Sequence, residues 1–131
     1  MKSNYILDNL IIGRVEPHIY AFTTETIPNY LKVGDTYRPV YERIEEWKKK
    51  YPNLMKKDDW EWQASVGEKE KKSYFRDISV HKYLESDKNK HRLEKTEISK
   101  DVYFSNEFFK NTKVKDVYDA IKDIGRNFKN N

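Results

Sequence analysis

Two β-prone runs, "HIYAFTT" (His18 to Thr24) and "YLKVGDT" (Tyr30 to Thr36), flank the segment "ETIPN". Pro28 and Asn29 are turn residues, so the runs predict an antiparallel hairpin with a longish loop. Gly34 reads as a tight turn between the second strand and the amphipathic helix after it. Side chains alternate along a strand, so Ile19 and Ala21 share one face and Leu31 and Val33 another. If these apolar pairs meet, Tyr20 and Lys32 meet on the opposite side, which His18 and Phe22 share. An ammonium beside a phenol makes a phenolate easier to form. Pro39 suits the first turn of a helix from Pro39 to Lys50, and "YPN" at 51–53 stops it. Val40, Ile44 and Trp47 make its inward stripe, with Arg43 on the margin. Snorkelling, or an ion pair with Glu42 or Glu46, is the simpler account of Arg43 taken alone.

Further along, "DWEWQASVG" alternates and predicts one strand, with Trp60, Trp62, Ala64 and Val66 on one face. "YFRDISVHKYLE" predicts a helix from Tyr74 to Glu85. Asp77 and His81 lie four apart on its apolar face, beside Val80, Leu84 and Tyr74. A carboxylate there needs a partner, either the imidazole or a metal ion. Residues 86–103 are expected to be a charged, mobile surface loop, and "YFSNEFFK" a short strand or turn. The last helix carries Val114, Val117, Tyr118, Ile121 and Ile124 at helical spacing. Residues 1–15 are an N-terminal extension with a short helix ending near Gly13. The order α-β-β-α-β-α-α predicts one domain over 1–131, a small α/β (α+β) fold with a mostly antiparallel three-stranded sheet flanked by helices.

Composition narrows the function classes. The chain has 131 residues, 37% hydrophobic and 37% charged, with an aromatic share of 15% that argues for an aromatic-rich core. A net charge of +4 is compatible with a polyanionic partner. The absence of cysteine excludes disulfides, thiolate zinc sites and cysteine nucleophiles. No apolar run approaches membrane-span length, and Asp8 and Asn9 interrupt any signal-like core, so a soluble, cytoplasmic chain is expected.

In order, "HIYAFTT", "LKVGDT" and the helix residue Arg43 resemble the GIY-YIG nuclease superfamily. The likeness is to the phage-associated branch with K-(I/V)-G where the name-giving motif has Y-(I/V)-G. "DISVHKYL" and "NEFF" resemble that branch's later histidine helix and E-(F/W)-F element. The resemblance spans roughly residues 16–124, with twelve residues from Tyr20 to Lys32 and eleven from Lys32 to Arg43. It implies metal-dependent hydrolysis of DNA phosphodiesters. Tyr20 would then be the general base toward water, Lys32 its activator and a phosphate contact, and Arg43 the clamp on non-bridging oxygens. Asp77 stands where the family has a metal-binding glutamate and would hold one Mg²⁺ or Mn²⁺, with Glu107 as fallback and His81 orienting. The aspartate is a departure, shorter by about one C–C bond, ~1.5 Å. Pro17 and His18 replace the usual glycine region.

DNA would be held through phosphates by Lys48, Lys49 and Lys50, by the basic loop 88–95 and by His18, although a solvated charged face is the commoner meaning of such runs. Site choice would need another module, and the family's nuclease domains are often linked to a helicase, a methyltransferase or a DNA-binding tail. The alternatives are a catalytically weak or inactive DNA-binding module on the same fold, and a protein-interaction domain.

Overall fold

A computed structural model describes residues 16–67 and 72–130. The extension at 1–15, with its expected helix, lies outside the described residues. Two strands open the fold: β1 (His18–Phe22) and β2 (Tyr30–Thr36). They pair antiparallel with Tyr20 opposite Gly34 and Phe22 opposite Lys32. Asn29 takes the left-handed conformation that the hairpin loop needs (φ 71°), which asparagine tolerates. Helix α1 (Val40–Lys48) comes next, then β3 (Glu61–Gln63), β4 (Ser65–Val66), β5 (Ser73–Tyr74), α2 (Asp77–Glu85), β6 (Phe108–Lys110) and α3 (Val114–Asn130).

The sheet has four strands in the order β3-β1-β2-β6, all antiparallel, where three were expected. The fourth is β6, the "FFK" of the segment left open between strand and turn. The alternating run at 59–67 is not one strand. It breaks at Ala64, whose backbone bonds to Pro17 and Phe75, so β3 stays in the sheet while β4 forms a separate ribbon with β5. Tyr74 is thereby taken from the start of the expected helix, which begins at Asp77. Among the described residues the class is mixed α+β, and no helix is long and apolar enough to cross a membrane.

Both faces of the sheet are covered. On one, Val40, Ile44 and Trp47 of α1 pack with Tyr20, Phe22, Ile27, Tyr51, Leu93 and Phe108. On the other, Val80 and Leu84 of α2 and Val117 and Ala120 of α3 pack on Ile19, Ala21, Leu31, Val33 and Phe109. The charged 86–103 segment is not a free loop. Leu93 is buried, its N–H donates to the Phe108 carbonyl, and the Lys110 N–H donates to His91, so 91–93 line the outer edge of β6. Lys95–Glu97 then form a 3₁₀ turn closed by reciprocal bonds between Glu94 and Glu97.

Candidate active site

Within β2, strand β6 pairs only with Tyr30–Lys32, and its last link to β2 is the Val33 N–H donating to the Glu107 carbonyl. Past that point β2 continues through Gly34 to Thr36 with no strand partner on that edge among the described residues. The chemistry-bearing side chains gather around this notch.

Gly34 is not a turn. It sits inside β2, and its value is what it lacks. A β-carbon there would lie 2.6 Å from the Tyr20 hydroxyl oxygen and 3.1 Å from Lys32 Nζ. The glycine gives the space in which phenol and ammonium converge, which a strand glycine commonly marks. Tyr20 and Lys32 do share a face, but α1 seals it, leaving Tyr20 1% and Lys32 0% exposed. Trp47 organises them. Its Nε1–H donates to the Tyr20 oxygen at 2.6 Å, and its ring lies 4.0 Å from Lys32 Nζ and 4.6 Å from the Arg43 guanidinium carbon. Trp47 thus stands between two cations, a favourable use of an aromatic face.

The expected ease of phenolate formation is reversed. Burial pushes the Tyr20 phenol well above its ordinary range, and the nearby Arg43 charge and the Trp47 hydrogen bond only partly offset it. Burial likewise pulls Lys32 down, against an opposing pull from Glu107. Lys32 Nζ lies 2.5 Å from Glu107 Oε1 and donates a hydrogen bond to it.

Glu107, the fallback ligand, is the centre of the cluster. It holds Lys32 from the α1 side and hydrogen-bonds Asp77 from the α2 side. Asp77, His81 and Glu107 each bring a ligand atom within 4.8 Å of the other two. Burial raises Asp77 far above the usual carboxylate range, and its hydrogen bond to Glu107 and the charges of Asp35 and Glu107 push the same way. Burial also raises Glu107, but Lys32 and the Asp77 hydrogen bond more than reverse this. Asp77 is therefore the carboxyl that holds its proton more tightly and Glu107, on Lys32, the one that gives it up more readily, as neighbouring carboxyls divide. His81 donates Nε2–H to the Val33 carbonyl at 2.7 Å, and burial keeps it below its usual value, hence neutral. Nδ1 keeps its lone pair. Two carboxylates and an imidazole nitrogen so grouped form a donor set that could hold a metal ion. The shortness of Asp77 is met by Glu107 on the facing element.

Asp35 fixes the position of α2. Its carboxylate accepts the Asp77 backbone N–H at 2.9 Å and the Arg76 Nε–H at 2.6 Å, so β2 caps the positive end of the helix. Arg43 bonds Glu46 at 2.9 Å, and Arg38 forks onto the same carboxylate. The proposed DNA-contacting residues are scattered. Lys48 pairs with Glu45, Lys50 lies over the Tyr103 ring, Lys49 ends α1, and His18 donates Nδ1–H to the Glu16 carbonyl. Asp35, Arg38, Gly34 and Trp47 are site-building residues that the sequence alone did not single out. A glycine two residues after a strand lysine, and a carboxylate next to it, were the available signals. No protein-family model, curated protein or solved structure matches this chain.

Proposed function

We propose that this chain is a divalent-cation-dependent DNA endonuclease domain of the GIY-YIG kind, working as the nuclease module of a larger DNA-processing or restriction-type protein. One observation carries this reading. Asp77, His81 and Glu107, from two elements far apart in sequence, converge within 4.8 Å of one another, and Glu107 is joined directly to the buried Lys32. Asp77, Glu107 and His81 would hold one Mg²⁺ or Mn²⁺, which when bound supplies charge neutralisation on the phosphodiester and a more acidic water.

The chain's own residues do the rest. Lys32 fixes the Glu107 carboxylate and adds a positive charge behind it. The His81–Val33 hydrogen bond sets the imidazole tautomer. Arg43 offers a planar fork to non-bridging oxygens as charge grows on them. Tyr20 accepts the Trp47 hydrogen bond on its oxygen, and at 1% exposure its O–H would reach a phosphate oxygen or water only where α1 moves aside. A neutral phenol in this place is a donor and not the base first expected of it.

A DNA-binding module without catalysis is the second reading, favoured by the sealing of Tyr20 and Lys32 beneath α1. Plasmid nicking with Mn²⁺ or Mg²⁺, beside gel shifts in EDTA, separates the two. Nicking that requires the metal and is lost in Asp77→Asn and Glu107→Gln supports hydrolysis. A DNA shift without nicking under any metal discards it.

A further inference from the structure

At the rim of the site, two guanidiniums from different elements meet on one carboxylate. Arg38, in the turn before α1, reaches Glu46 Oε2 from Nη1 and Oε1 from Nη2, both at 2.7 Å. Arg43, three residues before Glu46 on α1, reaches the same Oε1 from Nη1 at 2.9 Å. The side chains of Arg38, Arg43 and Glu46 are 42%, 33% and 40% exposed. Exposed ion pairs contribute little to folding, so stability does not account for two arginines on one acid. The cluster also borders the candidate site, because the Arg43 guanidinium lies on the Trp47 ring that binds the Tyr20 oxygen.

A carboxylate and a phosphodiester share a description. Each presents two equivalent oxygens carrying one negative charge, and a guanidinium fork binds either one bidentately. Exchanging one for the other leaves the charge and the hydrogen-bond count of the cluster unchanged. We infer that Arg38 and Arg43 form a binding site for one DNA phosphodiester, and that Glu46 fills this site in the free protein as an internal competitor. This rests on the proposal that the chain binds DNA. It adds Arg38 to the contact surface and makes Glu46 a brake on affinity. Two guanidiniums on one acid leave that trio net positive, a charge that the nearby Glu42 offsets in part.

The test is fluorescence anisotropy with a labelled 20-base-pair duplex in EDTA, over a series of salt concentrations, for the wild type, Glu46→Gln, Glu45→Gln and Arg38→Ala/Glu46→Gln. Glu45→Gln removes a neighbouring charge that pairs with Lys48 and reports the generic effect of one lost acid. Glu46→Gln is expected to bind about fivefold tighter than Glu45→Gln. Its log K against log salt should be steeper by about 0.9, because the phosphate no longer has to displace an internal anion. The gain should vanish in Arg38→Ala/Glu46→Gln. Equal affinities for the two single variants, or a gain that survives loss of Arg38, overturns the site. Since no metal is present, the outcome is independent of cleavage. Tighter binding by Glu46→Gln in a chain that never nicks DNA keeps this site and discards hydrolysis. Metal-dependent nicking with no effect of Glu46→Gln does the reverse.

Discussion

Behind the sheet, where α2 and α3 pack, the buried apolar side chains are Ile19, Ala21, Leu31, Val33, Ala64, Val80, Leu84, Val117, Ala120 and one aromatic, Phe109, with Trp62 and Phe75 half-buried against them. In front, under α1, the rings of Tyr20, Phe22, Trp47, Tyr51 and Phe108 are buried with Ile27, Val40, Ile44 and Leu93. The front also encloses a lysine at 0% exposure, and the back a histidine at 4%. Each intruder is satisfied differently. His81 needs only the Val33 carbonyl, a backbone acceptor that any sequence supplies. Lys32 needs the Trp47 face and the Glu107 carboxylate. The back is generic packing that sets the geometry, whereas the front is packing built around a charge. Glu107 joins them at the edge of β2, contacting Lys32 in front and Asp77 from behind.

The largest effect should come from removing that charge. Lys32→Met keeps the stem's volume but leaves Glu107 and Asp77 with no internal cation. Breaking one partner of a buried pair costs about 3–5 kcal/mol. Urea unfolding should show that loss, and Mn²⁺ should recover part of it by taking over the lysine's role. A loss under about 1 kcal/mol would mean that Lys32 is neutral and the two faces are alike. On the back, Leu84→Ala should lose about 3 kcal/mol through an ordinary cavity, with the stabilisation by Mn²⁺ undiminished.

Gly34→Ala sharpens the contrast with a smaller change. The added methyl meets the Tyr20 oxygen at 2.6 Å and its ring carbon Cζ at 2.8 Å, and Trp47 keeps the ring from retreating. The expected loss is about 1–3 kcal/mol. Tyr20→Phe in the same chain deletes the nearer atom, so the double variant should lose less than the two single losses combined. Additive losses would show that phenol and glycine are not in contact.

Legibility in the sequence divides along the same line. Period-two alternation and helix stripes depend on neighbours in sequence, so β1, β2, α1 and the face shared by Tyr20 and Lys32 were legible. The helix stripe Val40, Ile44, Trp47 is the buried one. Burial of the second face was not, because the alternation of β1 and β2 does not say that a helix will cover the polar side. That one omission inverted the expected acidity of Tyr20. Glu107 stood out only as a fallback ligand and not as the centre of the cluster, since its place depends on where β6 begins against β2. The break at Ala64 was hidden because both halves keep the same alternation. Trp47 appeared only as a core residue. Its Nε1–H and its two cations come from tertiary contacts that no spacing encodes.

The smallest expected effect is on pH dependence, and it tests the proton held by Asp77. Burial and Glu107 hold Asp77 up to about 8 in the folded chain, so the folded state binds that proton more tightly than the unfolded state does. The stabilisation is therefore complete below the ordinary carboxylate range and is lost as pH rises through the folded value, so the metal-free protein weakens between roughly pH 4 and pH 8. Glu107 and His81 are shifted downward, so their links to folding run the other way, and that of His81 opposes the Asp77 loss around the ordinary imidazole value. Asp77→Asn keeps a donor to Glu107 with no proton to lose. Its melting temperature should not fall between pH 6.5 and 8, whereas the wild type's should drop relative to it in EDTA. Mn²⁺ should raise the wild-type melting temperature more at pH 8 than at pH 6.5, where it must first displace a proton. Parallel curves for wild type and Asp77→Asn would place the two carboxyl groups apart in solution. The link at Glu107 between the aromatic front and the aliphatic back would then not exist.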